Sequence, residues 1–515
     1  MRRLARTIFL LVLVALWVVV VGAALEAYAR YRWHRITESD RFAQTYSDRH
    51  GWPDLDGEEP AEEDHTIDPI NEEDHLGTLF ASLDEQDRVT FARLRDMLIA
   101  LYDREGNALG VYATPQTFAS VGFEPQELEG KPFADTPLHR AGQAGAELLR
   151  RVADTAKPET TAFTVARSSG EAYIEMAAFP MRDESGRVTA VACSLRNITG
   201  LTLTEEMARR QQAHDHPMWK TYFFEYKKNA RVSWRWYTNN VGFRDDYVAL
   251  PKPAGVFRIA CVGGSTTEEG FTTATTYPNI LEKELHERFP GHAIEVVNCG
   301  VVGLSSLGER RRALDFARIE PDLVIRYNAV NDICHALFPS WEFEWERDAA
   351  PWQRVLRRSW FLRHYWNGLF WPSDQAMAAQ LDRSTFDNLG LMHEVLSARG
   401  IALALCTFAR PDLTHLSAED RDYYEWDVRT HWQGRHFTFG TYCRLLDLYN
   451  RKIKAFCQEN GLLCIPLAQK LKGDGEYFGD ICHMRPKGIE RKADAVCRHI
   501  EGYVAQRLGV EAPRP

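Results

Sequence analysis

The stretch Val256-Phe-Arg-Ile-Ala-Cys-Val-Gly-Gly-Ser265-Thr-Thr267 decides the fold of the C-terminal half of this chain. Its first seven residues form a short, mainly apolar run, which is typical of a strand buried in a parallel sheet. Two glycines and a serine follow directly, and apolar periodicity predicts a helix over about 277–289. This order places Ser265 at the carboxyl end of a strand, where open α/β sheets bind their ligands. We therefore expect Ser265 to belong to a functional site.

The same strand-then-helix pattern repeats towards the C-terminus. Further strands are predicted at 293–298, 321–327, 401–406 and 462–465, and helices at about 306–319, 386–399 and 441–460. The second strand ends in Cys299-Gly-Val-Val-Gly303, and the third ends in Asn328-Ala-Val-Asn-Asp332. Strands that alternate with helices predict a doubly wound parallel sheet, so the predicted fold class of residues 256–515 is α/β.

Four short blocks of this region, in this order, resemble the SGNH/GDSL family of serine hydrolases. They are Gly263-Gly-Ser-Thr266, Asn298-Cys-Gly-Val-Val-Gly303, Ala329-Val-Asn-Asp332 and Asp480-Ile-Cys-His483. Two positions depart from the family's commonest forms: Gly264 stands where Asp usually precedes the serine, and Ala329 stands in place of Gly. The sequences "TNNVGFR" at 238–244 and "LEAYAR" at 25–30 are similar to membrane-anchored members. The resemblance implies a flavodoxin-like α/β/α sandwich, with no cofactor and no metal.

The resemblance also implies a role for each site residue. Ser265 would be the nucleophile, His483 the general base, and Asp480 the group that orients the imidazole. A serine hydroxyl needs such a base because it is a weak nucleophile at neutral pH. The backbone N–H groups of Ser265 and Gly303 and the side-chain amide of Asn331 would surround the oxyanion. The resemblance further implies cleavage of an ester, for example a short acyl or O-acetyl group on a carbohydrate or lipid.

Each block also has a plainer interpretation. The Gly-Gly-Ser-Thr turn could cap a helix or hold a phosphate, although the spacing lacks a P-loop lysine. Asn331 could be a turn residue, and Asp480 with His483 could be a surface ion pair. The alternative function is therefore a membrane sensor or scaffold whose SGNH unit binds a ligand with little or no hydrolysis.

Residues 83–200 form a second predicted unit, of α+β class. Strands are predicted at 97–102, 108–112, 160–166, 172–180 and 188–195, with an amphipathic helix at 144–156. The order of these elements, with "LYDREGNALGVY", "GFEPQELEGKPF" and "LRNITGL", resembles the PAS sensory fold. That resemblance implies a bound small ligand or a PAS-mediated dimer. A structural spacer without a ligand is the alternative.

The N-terminus predicts a membrane anchor over residues 1–35. An uncharged, mainly apolar stretch runs from Thr7 to Leu25, long enough to cross a hydrocarbon core of about 30 Å as a helix. A cleavable signal peptide is the alternative. Arginines flank the stretch on both sides, and we expect the bulk of the chain on the exported side. An acidic, solvated linker is predicted over 36–82, and a connecting segment over 201–255.

Composition restricts the possible partners. The 515 residues carry a net charge of −10, so a basic field for holding nucleic acid is absent and no nucleic-acid partner is expected. The ten cysteines form no CxxC pair, which argues against a zinc ribbon or a thioredoxin-type site. Six tryptophans interleaved with arginines occupy 341–372. That segment could form a lid over the site, lie on a membrane surface, or pack as a core helix pair.

Overall fold

The structure is a computed structural model, and it describes most of the chain. The described residues are 2–37, 40–50, 80, 83–95, 97–115, 117–118, 125–136, 143–167, 170–183, 185–197, 226–233, 235–333, 350–356, 358–366, 373–414, 416–431, 438–471 and 476–512. The charged stretch at 201–212, most of the predicted acidic linker and the first tryptophans of the 341–372 segment lie outside these residues.

The C-terminal half is built on a five-stranded parallel sheet, which confirms the predicted fold class. Its strands are β8 (Phe257–Gly263), β9 (Ile294–Gly300), β10 (Leu323–Tyr327), β11 (Ala402–Cys406) and β12 (Leu463–Ile465). They pair in the order β9-β8-β10-β11-β12, and every pairing is parallel. This is the 2-1-3-4-5 order of flavodoxin-like sheets. The second strand, β9, is added on one side of β8, and all later strands are added on the other side, so the strand order reverses between β8 and β10. The C-terminal ends of β8 and β10 therefore border the crevice where such sheets bind ligands.

Helices cover both faces of this sheet, because every residue of β8 and β10 is buried and needs an apolar cover. In chain order the described helices of this half of the chain are α6 (Ser265–Glu268), α7 (Tyr277–Arg288), α8 (Ser306–Arg311), α9 (Ala313–Arg318), α10 (Pro351–Leu356), α11 (Trp360–Tyr365), α12 (Asp374–Leu381), α13 (Asp387–Ser397), α14 (Ala418–His431), α15 (Phe439–Asn460), α16 (Leu467–Lys470) and α17 (Pro486–Leu508). A π-helical turn, Asp382–Phe386, joins α12 to α13.

The single helix predicted at 306–319 is wrong, since the structure has two. Arg312 lies between α8 and α9 with φ −100° and ψ 8°, outside the helical region. Its side chain pairs with Asp315 and stacks on the ring of Phe243. Apolar periodicity continues through this position, so it could not reveal the break.

The middle unit contains an antiparallel sheet whose strands pair in the order β2-β1-β5-β4-β3. They are β1 (Leu98–Tyr102), β2 (Ala108–Tyr112), β3 (Glu159–Arg167), β4 (Gly170–Arg182) and β5 (Val188–Asn197). The described residues of this unit also form the helices α3 (Glu85–Arg95), α4 (Pro125–Leu128) and α5 (Gln143–Thr155). The five strands and α5 were predicted within three residues at each end, and α3 was not predicted. A short hairpin, β6 (Arg231–Ser233) with β7 (Trp236–Tyr237), follows.

In the part of the N-terminal region that the structure describes, two helices precede the middle unit: α1 (Arg2–Thr37) and α2 (Asp40–His50). Among the described residues, α1 is the helix long and apolar enough to cross a membrane, judged by length and composition over Val12–Ile36. The prediction of a solvated linker is wrong for α2. Its aromatic residues Phe42 and Tyr46 pack against the ring of Trp426 in α14. Two apolar residues in a charged stretch give little periodicity, so the sequence did not indicate this packing.

The middle unit packs against the parallel-sheet unit. Phe80 and Phe91 belong to the same buried cluster as the core of the C-terminal half. At the edge of this contact, Arg95 of α3 lies 3.7 Å from Asp315 of α9, and both side chains are largely buried. Arg93 forms two hydrogen bonds with Glu394 in α13. The two units are therefore in direct contact through α3.

Candidate active site

Two strand ends deliver the central residues of the candidate site. Ser265 is the first residue of α6, directly after β8, and Asn331 follows the end of β10. Because β8 and β10 are neighbours at the point where the strand order reverses, both residues lie at the binding crevice of the sheet. The first N–H groups of a helix have no partner within the helix, so α6 presents backbone donors beside the Ser265 hydroxyl.

Ser265, His483 and Asp480 form a continuous chain of hydrogen bonds. His483 Nε2 lies 2.7 Å from Ser265 Oγ, and His483 Nδ1 lies 2.6 Å from Asp480 Oδ2. The backbone N–H groups of Cys482 and His483 donate to Asp480 Oδ1 at 2.8 and 2.6 Å. Asp480 is buried, with 4% of its side chain exposed, whereas 28% of the His483 side chain is exposed. A solvent-facing imidazole between a hydroxyl and a buried carboxylate has the geometry needed for general base catalysis.

The departure from the family pattern at Gly264 has a steric reason. A Cβ atom at this position would lie 2.3 Å from Asn331 Nδ2, so any larger residue would displace that side chain. Gly263 is equally restricted, because its Cβ would lie 2.3 Å from the carbonyl oxygen of Tyr327. The two glycines thus allow the turn after β8 to contact the end of β10.

Gly303 lies in a loop that the residues after β10 hold in place. Its φ of +75° is in the left-handed region, which glycine adopts without strain. The carbonyl oxygen of the following residue, Leu304, accepts hydrogen bonds from Asn331 Nδ2 at 2.9 Å and from Asn328 Nδ2 at 2.7 Å. The structure therefore brings together the loops that carry Gly303, Asn331 and Ser265.

A buried arginine, Arg326, links the end of β10 to α8, the helix after the Gly303 loop, and to the residue after Asn331. Arg326, at the end of β10, pairs with Glu309 at 2.5 Å and with Asp332 at 2.9 Å, and all three side chains are fully buried. Asp332 Oδ1 accepts the backbone N–H of Ser306 at 2.8 Å, at the start of α8. Asn328 Nδ2 donates to Glu309 Oε1 at 2.7 Å. None of these residues was predicted to belong to the site, although Asp332 is part of the block that includes Asn331.

A second buried pair, Lys492 with Glu269, joins the Ser265 segment to the His483 loop. Lys492 Nζ lies 2.5 Å from Glu269 Oε1 and donates to the carbonyl oxygen of Thr266 at 2.7 Å. Glu269 Oε2 accepts the backbone N–H of Met484, the residue after His483, at 2.8 Å. Burial raises the pKa of Glu269 and lowers the pKa of Lys492, and their mutual attraction opposes both shifts.

Sequence reasoning missed Lys492, but a signal for it was present. Ile489, Lys492, Ala493 and Val496 follow the spacing of the buried face of α17, so a lysine occupies an apolar stripe. A charged residue on such a face is either paired or functional, because an isolated buried charge is very costly. The partner could not be deduced, since Glu269 lies 223 residues earlier.

Helix α14 holds the loop that carries Asp480 and His483. Tyr423 Oη donates to the carbonyl oxygen of Gly479 at 2.6 Å. The backbone N–H of Ile481 donates to Asp427 Oδ2 at 2.9 Å. Phe42 of α2 packs against the ring of Tyr423 itself, so α2 contributes to the position of this loop.

The carboxylates around His483 favour the protonated, positively charged form of its imidazole. Burial disfavours the imidazolium, but the carboxylates of Asp480, Glu269 and Asp427 outweigh it and raise the pKa of His483 from 6.5 to about 9. The imidazole must therefore lose a proton before it can accept one from Ser265.

Among the described residues, Asp480, Cys482 and His483 form a group whose ligand atoms lie close enough to hold a metal ion. Burial and the neighbouring carboxylates raise the pKa of Cys482 well above its ordinary value, which disfavours the thiolate. Asp480 is already hydrogen-bonded through both oxygens. The residues of this group therefore fit a hydrogen-bonded acid–imidazole pair better than a metal site.

Comparison with solved structures returned hydrolases. The chain is similar to a GDSL-like lipase from Bacteroides thetaiotaomicron VPI-5482, with 15% identity and a TM-score of 0.28, over 48% of this chain and 88% of the other. It is similar to Axe2, an acetylxylan esterase from Geobacillus stearothermophilus, with 16% identity and a TM-score of 0.30, over 50% and 96% of the two chains. LAE5, an alpha/beta hydrolase enzyme from the metagenome of Lake Arreo, Spain, shares 15% identity with a TM-score of 0.29, over 47% and 94%. The search of curated proteins returned no match.

Two parts of the chain can be assigned to folds. Residues 74–202 match the family model described as PAS fold, and this range contains strands β1 to β5. The strands that follow have the flavodoxin-like order, with helices on both faces. The chain therefore contains a PAS fold, followed by a five-stranded parallel α/β unit with the strand order of flavodoxin-like sheets.

Proposed function

We propose that this chain is a membrane-anchored serine esterase of the SGNH type. One observation carries the proposal: Ser265, His483 and Asp480 are joined by hydrogen bonds of 2.7 and 2.6 Å at the binding edge of the sheet. The substrate would be an ester of a carbohydrate or lipid, and a short acyl group such as O-acetyl follows from the family resemblance. The helix α1 would hold the enzyme in the membrane, with the α/β unit on the exported side. A PAS-mediated dimer remains part of the proposal.

In this mechanism His483, once neutral, accepts the proton of Ser265 as Oγ attacks the ester carbonyl. Asp480 keeps the imidazole in the tautomer that carries its proton on Nδ1, and stabilises the imidazolium that forms. His483 then returns the proton to the leaving alcohol, and a water molecule hydrolyses the acyl-enzyme by the same steps.

The negative charge on the attacked oxygen needs fixed donors. The backbone N–H groups of Ser265 and Gly303 and the Nδ2 group of Asn331 would supply them. Asn331 Nδ2 carries two hydrogens and directs one towards the carbonyl of Leu304, which fixes the amide plane. Loss of one such donor typically lowers kcat by about 10²–10³-fold.

Labelling with a fluorophosphonate probe tests the proposal directly. The probe phosphonylates a serine only when an adjacent base activates it, so the full-length protein in detergent should be labelled at Ser265, as located by peptide mass spectrometry. The Ser265→Ala variant and heat-unfolded wild-type protein serve as controls and should not react. Folded wild-type protein that stays unlabelled would favour the alternative, a sensor or scaffold whose α/β unit only binds a ligand.

The raised pKa of His483 predicts an alkaline pH profile. Because the neutral imidazole is the active form, kcat/KM should rise about tenfold per pH unit below pH 9 and level off near the pKa of about 9. The raised pKa of His483 also means that protonation of its imidazole stabilises the folded state. This stabilisation is complete below pH 6.5, where the imidazole is charged in the folded and the unfolded chain, and it is lost as the pH rises through about 9. Initial rates on a short-chain aryl ester, measured over this pH range, check the prediction. An acid limb centred near 6.5 would contradict the charge balance described for this site.

A further inference from the structure

An exposed aromatic face lies on the segment between β10 and β11. It consists of side chains on α10 and α11 together with the residue that follows α11: Trp352, Val355, Leu356, Tyr365 and Trp366. Three of them, Trp352, Val355 and Trp366, are 60–63% exposed. Single exposed apolar residues are ordinary, but five of them within residues 352–366 are a concentration of the kind that marks a binding surface.

This aromatic face adjoins α1 at the point where the charged residues of that helix begin. Glu26 accepts hydrogen bonds from Ser359 Oγ at 2.8 Å and from the backbone N–H groups of Trp360 and Phe361 at 3.1 Å. Glu26 therefore caps the N-terminus of α11. On the N-terminal side of Glu26, residues 12–20 are all apolar and all exposed. The contact thus fixes α11 at the level where an inserted α1 would leave the hydrocarbon.

Aromatic side chains form further contacts between α1 and α11. The rings of Tyr28 and Tyr365 lie 6.5 Å apart, and those of Trp33 and Trp360 lie at the same separation. Tyr28 and Tyr31 of α1 are themselves 53% and 64% exposed. Tryptophan and tyrosine side chains at this depth are typical of the belt that membrane proteins place among lipid headgroups.

We propose that the aromatic face lies in the headgroup region of the bilayer beside α1, so that its partner is the lipid surface itself. This inference rests on the proposed membrane anchor. Trp352 and Val355 would enter the boundary between headgroups and acyl chains, and Arg358, exposed in the same segment, would remain at the level of the phosphates. The α/β unit is then attached to lipid both through α1 and through α10–α11, which sets one orientation of the Ser265 crevice relative to the membrane.

Site-specific photocrosslinking in the full-length protein tests the inference. A p-benzoylphenylalanine residue replaces Trp352, and the protein is reconstituted in nanodiscs of phosphatidylethanolamine and phosphatidylglycerol that carry a radiolabelled lipid. Two matched variants place the same group at Trp17, in the apolar part of α1, and at Leu109, which is 59% exposed in β2 of the PAS fold. Trp352 and Trp17 positions should both capture lipid, several-fold above the Leu109 position.

The outcomes separate the two proposals. Lipid captured at position 17 but not at position 352 would overturn the membrane contact of the aromatic face and leave the anchor intact. Capture of a second copy of the chain at position 352, seen as a crosslinked dimer, would also overturn it and assign the face to self-association. If position 17 itself captures no lipid, the anchor fails, and the inference that rests on it fails for that separate reason.

Discussion

Replacing Ser265 by alanine is expected to lower kcat/KM for a short-chain aryl ester by about 10⁴–10⁶-fold. The expected loss is large because no acyl-enzyme can form without the hydroxyl that His483 contacts at 2.7 Å. The fold should tolerate the change, since it removes one partly exposed hydrogen bond, of about 1 kcal/mol. The measurement is steady-state kinetics on purified full-length protein, with thermal unfolding followed in parallel.

A matched control separates the nucleophile from an ordinary serine. Ser397 ends α13, and its hydroxyl donates to the carbonyl oxygen of Glu394 in an exposed turn. Ser397→Ala should retain wild-type kcat/KM. Turnover that persists in folded Ser265→Ala protein would remove the proposed mechanism, whereas loss of activity in both variants would point to damage unrelated to the nucleophile.

Replacing Lys492 by methionine should lower the free energy of unfolding by about 3–5 kcal/mol. The methionine keeps most of the apolar volume but leaves the Glu269 carboxylate buried without its cation. The double variant Lys492→Met with Glu269→Gln should recover much of that loss, because the buried charge is gone. A glutamine oxygen can still accept the backbone N–H of Met484. Denaturant titrations of full-length protein in detergent, followed by tryptophan fluorescence, measure these differences.

The exposed Lys487 provides the comparison on the same helix. Its ammonium group pairs with Glu476, and both side chains are about 60% exposed. Exposed pairs contribute about 0–1 kcal/mol, so Lys487→Met should have little effect. Equal stability of the Lys487→Met and Lys492→Met variants would show that the buried pair does not hold the site together.

The pH profile shows whether Glu269 also acts through His483. The Glu269 carboxylate is one of the charges that raise the pKa of His483, so Glu269→Gln should move the acid limb of kcat/KM to lower pH. A purely structural role would change the height of the profile without moving its midpoint. In the proposed mechanism Glu269 and Lys492 would be positioning residues, which act on the reaction through Ser265 and His483.

The order of elements in the α/β unit could be predicted because periodicity is a local property. Strands such as β8 and β10 are short apolar runs followed by glycine or asparagine turns, and each signal lies within about ten residues. The break at Arg312 and the helix α2 were not predictable, since both depend on side chains from distant segments. Arg312 stacks on Phe243, and Phe42 and Tyr46 pack on α14.

For the candidate site, the family blocks named Ser265, Gly303, Asn331, Asp480 and His483 and implied their roles, which stay predictions until the labelling experiment. Apart from Asp332, they do not include the buried charged residues that contact this region. Arg326 and Lys492 are found only when the partners that neutralise them are known, and those partners lie on other elements.

The sequence by itself determined which elements form and which residue type stands at each strand end, because backbone preference and apolar periodicity act over a few neighbouring positions. Only the tertiary structure decided that the hydroxyl of Ser265 meets the imidazole of His483, 218 residues later, and that Glu26 of α1 caps α11. Contacts of that kind depend on how whole helices and strands pack, and packing is decided by the complete set of side chains in the core.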